Sequence, residues 1–200
     1  MSVMAAEPRV GVVIGSTRPT RIASGIARWT QRALAEQSSL SYDLIDLAEV
    51  DLPMLDEPLM AALREYRNPH TKAWSALVDS FAAFVFVLPQ YNWGYPAPVK
   101  NALDYLYHEW QGKPVTTVTY GTRGGSRAAD QMRQLFEGLH MRALPSRIEV
   151  AISNEQVDEQ WQLKDIEATM SPYRAGLRQI NAELLAALEQ GQESSAQAAH

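Results

Sequence analysis

Short apolar runs alternate along the chain with stretches whose apolar positions recur at helical spacing. Arg9–Gly15 (RVGVVIG) is a β-branched run that ends in glycine. The next segment, IASGIARWTQRALAEQ, places Ile22, Ile26, Trp29, Ala33 and Leu34 on one helical face. Tyr42–Leu47 (YDLIDL) alternates and reads as a strand near a sheet edge. A proline-marked loop and two short helical stretches follow, the second over about 70–80. Ala82–Leu88 predicts a buried strand, and helical spacing resumes from about Pro98. Pro114–Gly121 (PVTTVTYG) predicts a strand, Arg127–Leu139 an amphipathic helix and Arg147–Ile152 a fifth strand. Ser171–Gln190 is the last helix, with Pro172 near its first turn.

Repeated strand–helix alternation implies an α/β domain with a parallel sheet and helices on both faces. Five strands with an early switch point fit the flavodoxin-like order 2-1-3-4-5. The expected division is one domain over 9–190, with disordered ends at 1–8 and 191–200, the latter small and polar. Ligands in such sheets bind outside the carboxyl ends of the strands, near the switch point.

Composition narrows the function. A net charge of −5 argues against a general nucleic-acid binder, which needs a basic face. The absence of cysteine removes disulfides, thiolate metal sites and a cysteine nucleophile. His70, His108, His140 and His200 have no metal-ligand spacing; His140, near a helix C-terminus, fits a dipole partner better. The opening MSVMAAEPRV has no apolar core of signal-peptide length, and Phe81–Leu88 is far short of a membrane span. The expectation is a cytoplasmic protein without a metal, a membrane or a nucleic acid as partner.

The loops after strands one, three and four carry the chemistry. In Gly15–Ser24 (GSTRPTRIAS), Gly15 permits a tight turn, Ser16 and Thr17 offer hydroxyls, and Arg18 and Arg21 add positive charge beside a helix N-terminus. That combination suits a phosphate; the plainer alternative is a well-capped helix with two exposed arginines. The spacing is neither GxGxxG nor GxxxxGK[ST]. After strand three, LPQYNWGYPAPVKNALDYL spends Pro89, Pro96 and Pro98 on stiffness and Tyr91, Trp93 and Tyr95 on flat apolar surface. Backbone near Gln90 and Asn92 can meet a polar ring edge, while Asn92 can equally make a local Asx turn. Lys100 and Asp104 read as a surface pair. After strand four, Gly121, Gly124 and Gly125 let backbone approach something flat, or serve the turn alone, and Ser126 can cap the next helix. A phosphate cradle, a stiff aromatic loop and a glycine-lined backbone suit a planar ligand with a phosphate tail.

GSTRP, LPQYNWGYPAPVKNALDYL and TYGTRGGSRAA, in this order, resemble the NAD(P)H-dependent FMN reductase family over about 10–152. The resemblance implies a flavodoxin-like fold and a flavin oxidoreductase that passes hydride from NADPH or NADH to bound FMN. The electrons then pass to a small acceptor such as a quinone, free flavin, azo compound or metal oxyanion. It implies that Ser16, Thr17, Arg18 and Arg21 hold the FMN phosphate, although many members carry a serine in place of Arg21. It also implies that Pro89, Gln90, Tyr91, Asn92 and Trp93 run along the ring, with Tyr120, Gly121, Gly124 and Gly125 at its other edge. No catalytic acid or base is expected, because a flavin carries its own chemistry. The family implies a homodimer or homotetramer, for which Tyr105, Tyr107 and Trp110 are candidate contacts or core. Two rivals are a flavodoxin-type FMN electron carrier without NAD(P)H turnover and a flavin-free regulatory domain on the same fold.

Overall fold

The structure, a computed structural model, describes residues 7–36 and 38–198. In chain order the regular elements are β1 Arg9–Ile14, α1 Ala23–Ala35, β2 Ser41–Asp46, α2 Leu47–Val50, α3 Pro69–Asp79 and β3 Ala83–Pro89. They continue as α4 Ala97–Asp104, β4 Pro114–Gly121, α5 Ser126–Gly138, β5 Arg142–Ala143, β6 Ile148–Ala151, α6 Ile166–Met170 and α7 Arg174–Ala198.

All strand pairs are parallel, in the order β2-β1-β3-β4, and the outer edge of β4 is shared by β5 and β6. The expected fifth strand, 147–152, is β6, and β5 is an additional two-residue strand on the same edge of β4, so the 2-1-3-4-5 order holds. β5 pairs with Pro114 and Val115, and β6 pairs with Val118–Gly121. Pro145 lies between them and has no N–H to give the ladder. The Thr116 hydroxyl spans the break by donating to the Ser146 carbonyl at 2.6 Å.

Every residue of β3 is buried, as a parallel strand covered on both faces requires. Successive β1 residues serve opposite layers. Val10, Val12 and Ile14 pack with Ile26, Trp29, Leu177 and Ile180 on the α1 and α7 side. Val13 joins Phe84, Phe86, Trp74, Trp110, Met132 and Phe136 on the other. Gly11 faces that second layer, where a Cβ would come within 2.8 Å of Ile45 Cδ1 and Phe84 Cδ1. Tyr105 and Trp110 belong to this core at 1% and 0% exposure, so they are not surface contacts for a second copy. Trp110 packs edge-on to Phe84 and Trp74, and only Tyr107 of the three is partly open.

The last helix departs from expectation at both ends. Pro172 lies in a 3₁₀ turn, Ser171–Tyr173, just ahead of α7. The helix continues beyond Gln190 to Ala198, through residues rich in Ala, Gln and Glu, which are good helix formers. Residues 1–6, 199 and 200 of the expected disordered ends lie outside the described residues.

Burial makes two phenols sensitive to alkali. Tyr42 donates to Asn181 Oδ1 at 2.6 Å, and burial pushes its pKa up from 10.0 to about 12. Burial, followed by a hydrogen bond to Asp56, also raises Tyr105 to about 12. The folded state keeps protons that the unfolded chain releases above pH 10, so this stability is complete below pH 10 and is lost as pH approaches 12. The melting temperature should fall steeply across that window. Tyr42→Phe should shallow the fall while costing about 1–3 kcal/mol at neutral pH, because the Asn181 carbonyl loses its donor.

Candidate functional site

The carboxyl ends of β1, β3, β4 and β6 deliver the loops of the site to one edge of the sheet. Leaving β1, Gly15 donates its N–H to the Val87 carbonyl at 2.8 Å. A Cβ there would stand 2.7 Å from Val99 Cγ2 and 3.0 Å from Leu88 Cβ, so only glycine lets the chain turn this close to β3. Ser16 is fully buried, and its hydroxyl shares a 2.9 Å hydrogen bond with the Tyr91 hydroxyl. Thr17, Arg18, Pro19 and Thr20 then run exposed to the start of α1.

That helix start is not satisfied by its own side chains. The N-cap is Ile22, which supplies no cap, and the first turn carries no acid. The first N–H groups of a helix need acceptors, and their partial positive charge favours an anion. Two arginines stand beside them. Arg18 is exposed on the cleft, and Arg21 is partly buried. Arg21 Nη2 donates to Asp46 Oδ2 at 2.7 Å, while its buried Nε has no partner. The family resemblance implies a phosphate-holding role for Arg21, at a position where many members carry serine. The structure commits one end of its guanidinium to Asp46 and leaves one donor open.

The aromatic loop after β3 is a tight hairpin turn. Tyr91 and Gly94 exchange backbone hydrogen bonds at 2.9 Å in each direction. The two residues between them, Asn92 and Trp93, have φ of 45° and 71°, the left-handed pair of a type I′ turn. Asn92 thus shapes the turn through its backbone. A left-handed tryptophan costs on the order of 1–3 kcal/mol, which the surroundings must hold in place. The Arg127 guanidinium lies 4.2 Å from the Trp93 ring centroid, and the Trp93 carbonyl accepts from Gln131 at 3.1 Å. Trp93 is nonetheless 54% exposed. Gln90 uses its backbone N–H on the Tyr120 carbonyl, and its side-chain oxygen accepts from the N–H groups of Arg127 and Ala128 at 3.1 and 3.3 Å. Gln90 therefore caps α5. Ser126, the cap expected from sequence, is the first helical residue and follows Gly125 at the cap position.

After β4 the glycines divide. Gly121 borders the cleft, with nothing closer to a would-be Cβ than Gln90 at 3.9 Å. Gly124 and Gly125 have φ of 77° and 85°, and they pack onto Glu149 and Thr119. The fold itself accounts for both. Tyr120 is buried, and burial raises its pKa; the neighbouring Tyr91 adds to the rise, and the Ser16 hydroxyl and the Arg21 and Arg18 charges partly offset it. It stays a neutral phenol.

Between these loops lies a cleft of about 250 Å³ bordered by Arg18, Thr20, Arg21, Pro89, Gln90, Tyr91, Tyr120, Gly121 and Thr122. Past the shared residues Gln90, Gly121 and Thr122, a hollow of about 310 Å³ continues to Asn92, Trp93 and Arg123. Most of the predicted residues thus meet in one place. Ser16 lies beneath it as a support for Tyr91. Thr17 borders a different cavity, of about 360 Å³, with Leu47, Leu52 and Asn101. The sequence reading missed the fourth wall, Ile152, Ser153, Asn154, Val157 and Trp161, from the segment after β6. Its signal was a tryptophan in the polar run SNEQVDEQW, downstream of a strand that ends at the same edge. Lys100 and Asp104 form the expected surface pair at 2.6 Å.

The sequence model of the NADPH-dependent FMN reductase family matches residues 8–156. The chain is 40% identical over 147 residues to an NAD(P)H-dependent FMN reductase of Saccharomyces cerevisiae, covering 68% of this chain and 77% of that one. It is 34% identical over 144 residues to a quinone reductase of Pseudomonas putida, covering 66% and 71%. Among solved structures, the flavoenzyme NAD(P)H:(acceptor) oxidoreductase FerB of Paracoccus denitrificans superposes with a TM-score of 0.67 at 19% identity, over 88% of this chain and 97% of that one. An FMN-dependent NADH-azoreductase of Bacillus anthracis, in complex with FMN, gives 0.58 at 11%, over 88% and 99%. These structural likenesses bear on the fold.

If Gly125 serves the fold, Gly125→Ala should lower the melting temperature of the ligand-free protein, by roughly 1–3 kcal/mol of backbone strain. Affinity for FMN in the folded fraction should hold. An unchanged melt with lost FMN affinity would place a ligand against this backbone.

Proposed function

The chain belongs to the NADPH-dependent FMN reductase family, and we propose that the cleft at the carboxyl edge of its sheet is where FMN is held. The protein is an NAD(P)H-dependent flavin oxidoreductase that takes reducing equivalents from a nicotinamide and delivers them to a small acceptor. One observation carries the assignment of the site: Ile22 at the uncapped start of α1, Arg18 and Arg21, whose buried Nε has no partner, border one cleft with Pro89–Tyr91 and Tyr120–Thr122.

In this reading Arg18, Arg21 Nε and the first N–H groups of α1 hold the phosphate, as charge-assisted and helix-end contacts suit a dianion. Pro89–Tyr91 and Tyr120–Thr122 border the ring. Bound FMN supplies the hydride-accepting and hydride-donating chemistry. The protein's own work is positioning. Ser16 fixes the Tyr91 hydroxyl, the type I′ turn holds Trp93 at the mouth, and Gln90 ties the β3 loop to α5. Buried Tyr120 keeps its proton at working pH and can offer a neutral hydroxyl.

The small acceptor fits a quinone or a free flavin, the substrates that the names of the relatives print. Met54 and Met60, 78% and 69% exposed on the segment between α2 and α3, support a homodimer contact there, replacing the buried Tyr105 and Trp110. No helix among the described residues is long and apolar enough to cross a membrane, and a cytoplasmic enzyme is the reading we adopt.

The purified protein should bind FMN and oxidise NADPH or NADH when supplied with a quinone, with a rate that requires FMN. Binding without nicotinamide oxidation would make it an electron carrier. Arg18→Ala should weaken FMN binding by about 1.5–3 kcal/mol at most, the range of a hydrogen bond to a charged group. Riboflavin, lacking the phosphate, should lose much less. Equal losses for the two flavins would remove Arg18 from the phosphate site.

A further inference from the structure

Beyond β6 the chain makes a small hairpin whose base, Val157 and Leu163, packs on the core and whose tip projects past it. Val157 and Leu163 form an isolated antiparallel bridge, and Lys164 N–H donates to the Gln156 carbonyl at 2.9 Å. The tip is closed by Asp158 N–H to the Gln162 carbonyl at 2.9 Å and Trp161 N–H to the Asp158 carbonyl at 3.0 Å. The Asp158 carboxylate then accepts from the N–H groups of Gln160 and Gln162, at 2.9 and 2.8 Å. One acidic side chain thus locks five residues of tip into a single shape. The match to the family model ends at residue 156, so this tip lies outside the matched segment.

At that tip stands Trp161, with φ of 60° and 60% of its surface open. Glycine or asparagine would hold a left-handed turn position without strain. A tryptophan there exposes a large apolar ring in a costly backbone conformation, and the turn gains nothing from it. The ring borders the same cleft as Arg18, Thr20 and Arg21. The hairpin is also tied to that end, because Gln162 Nε2 donates to the Thr20 carbonyl at 3.2 Å. Trp93 holds a matching position, left-handed and exposed, but at the far hollow.

We propose that Trp161 is a clasp over the phosphate-proximal end of the bound flavin and sets how long FMN stays on the protein. The proposal rests on the reading that this cleft holds FMN. A flat, pre-shaped aromatic group can close over a ligand with little loss of freedom, and such contacts act mainly on the rate of release. By this account the hairpin decides whether FMN remains through many turnovers or exchanges with free flavin. The role is one of binding: Trp161 transfers no proton or electron.

The test loads the full-length protein with FMN, dilutes it, and follows the return of free-flavin fluorescence. Trp161→Ala should release FMN about tenfold faster, the scale of the apolar area that the indole would lose against the ribityl end, while association stays near the wild-type rate. Trp161→Phe should fall between. Asp158→Ala, which keeps the indole but frees the tip, should also speed release. The apoprotein melt should not move with Trp161→Ala, because the ring is mostly in solvent. Equal release rates in all four proteins would overturn the clasp while leaving FMN binding intact. Faster release that tracks a lower apoprotein melt would also overturn it, showing a collapsed hairpin instead. A wild-type protein that takes up no FMN would remove the cofactor reading itself, and the clasp with it.

Discussion

The close approach of β1 to β3 is the constraint on which the rest of the molecule depends. β1 is hydrogen-bonded on both sides, to β2 and to β3, in one parallel register. It leaves the sheet at Gly15, whose N–H still reaches β3 and whose missing Cβ avoids Val99 and Leu88. From that point the chain must cross to α1 on one face while the loop after β3 crosses to α4 on the other. The gap they leave at the carboxyl edge is the cleft. A side chain at Gly15 would crowd Val99 and Leu88 one residue before Ser16, whose hydrogen bond to Tyr91 joins the two walls.

The same constraint explains how the site can be both rigid and open. Several groups that look like ligand contacts are already used by the protein. Gln90 caps α5, Arg21 holds Asp46, and Gly124 and Gly125 pack on Thr119 and Glu149. These internal bonds fix the walls before a ligand arrives, which limits the entropy lost on binding. The donors left over lie where a phosphate would need them: the uncapped start of α1, the exposed Arg18 and the unpaired Arg21 Nε. Two tryptophans in left-handed turns, Trp93 and Trp161, stand at the open ends. Strain stored in both is consistent with surfaces kept for contact with something other than the protein.

Much of this was legible in the chain because the strong signals were periodic or local. Buried parallel strands read as apolar runs, so β1, β3 and β4 fall where the pattern puts them, and amphipathic α1 and α5 follow 3.6-residue spacing. What failed needed distance information. The break at Pro145 is visible as a proline, but its bridging by Thr116 depends on a neighbouring strand. Whether Tyr105 and Trp110 are contacts or core is open in the sequence; the packing of Trp110 on Phe84 and Phe86 of β3 and on Trp74 of α3 makes them core. The capping of α5 by Gln90 joins residues far apart in sequence, whereas local rules favour nearby Ser126. The Trp161 hairpin has no periodic or glycine signal and lies away from the switch point, although β6 ends at the same edge.

A crystal structure of the protein soaked with FMN tests the account most directly, since it asks which of the cavities at this edge takes the flavin. The account predicts phosphate density at the start of α1 within hydrogen-bond reach of Arg18 and Arg21 Nε. It places the ring along Pro89–Tyr91 and Tyr120–Thr122 and the Trp161 indole against the ligand. A flavin seated instead among Thr17, Leu47 and Asn101, or absent from a crystal of protein that binds no FMN in solution, would contradict it.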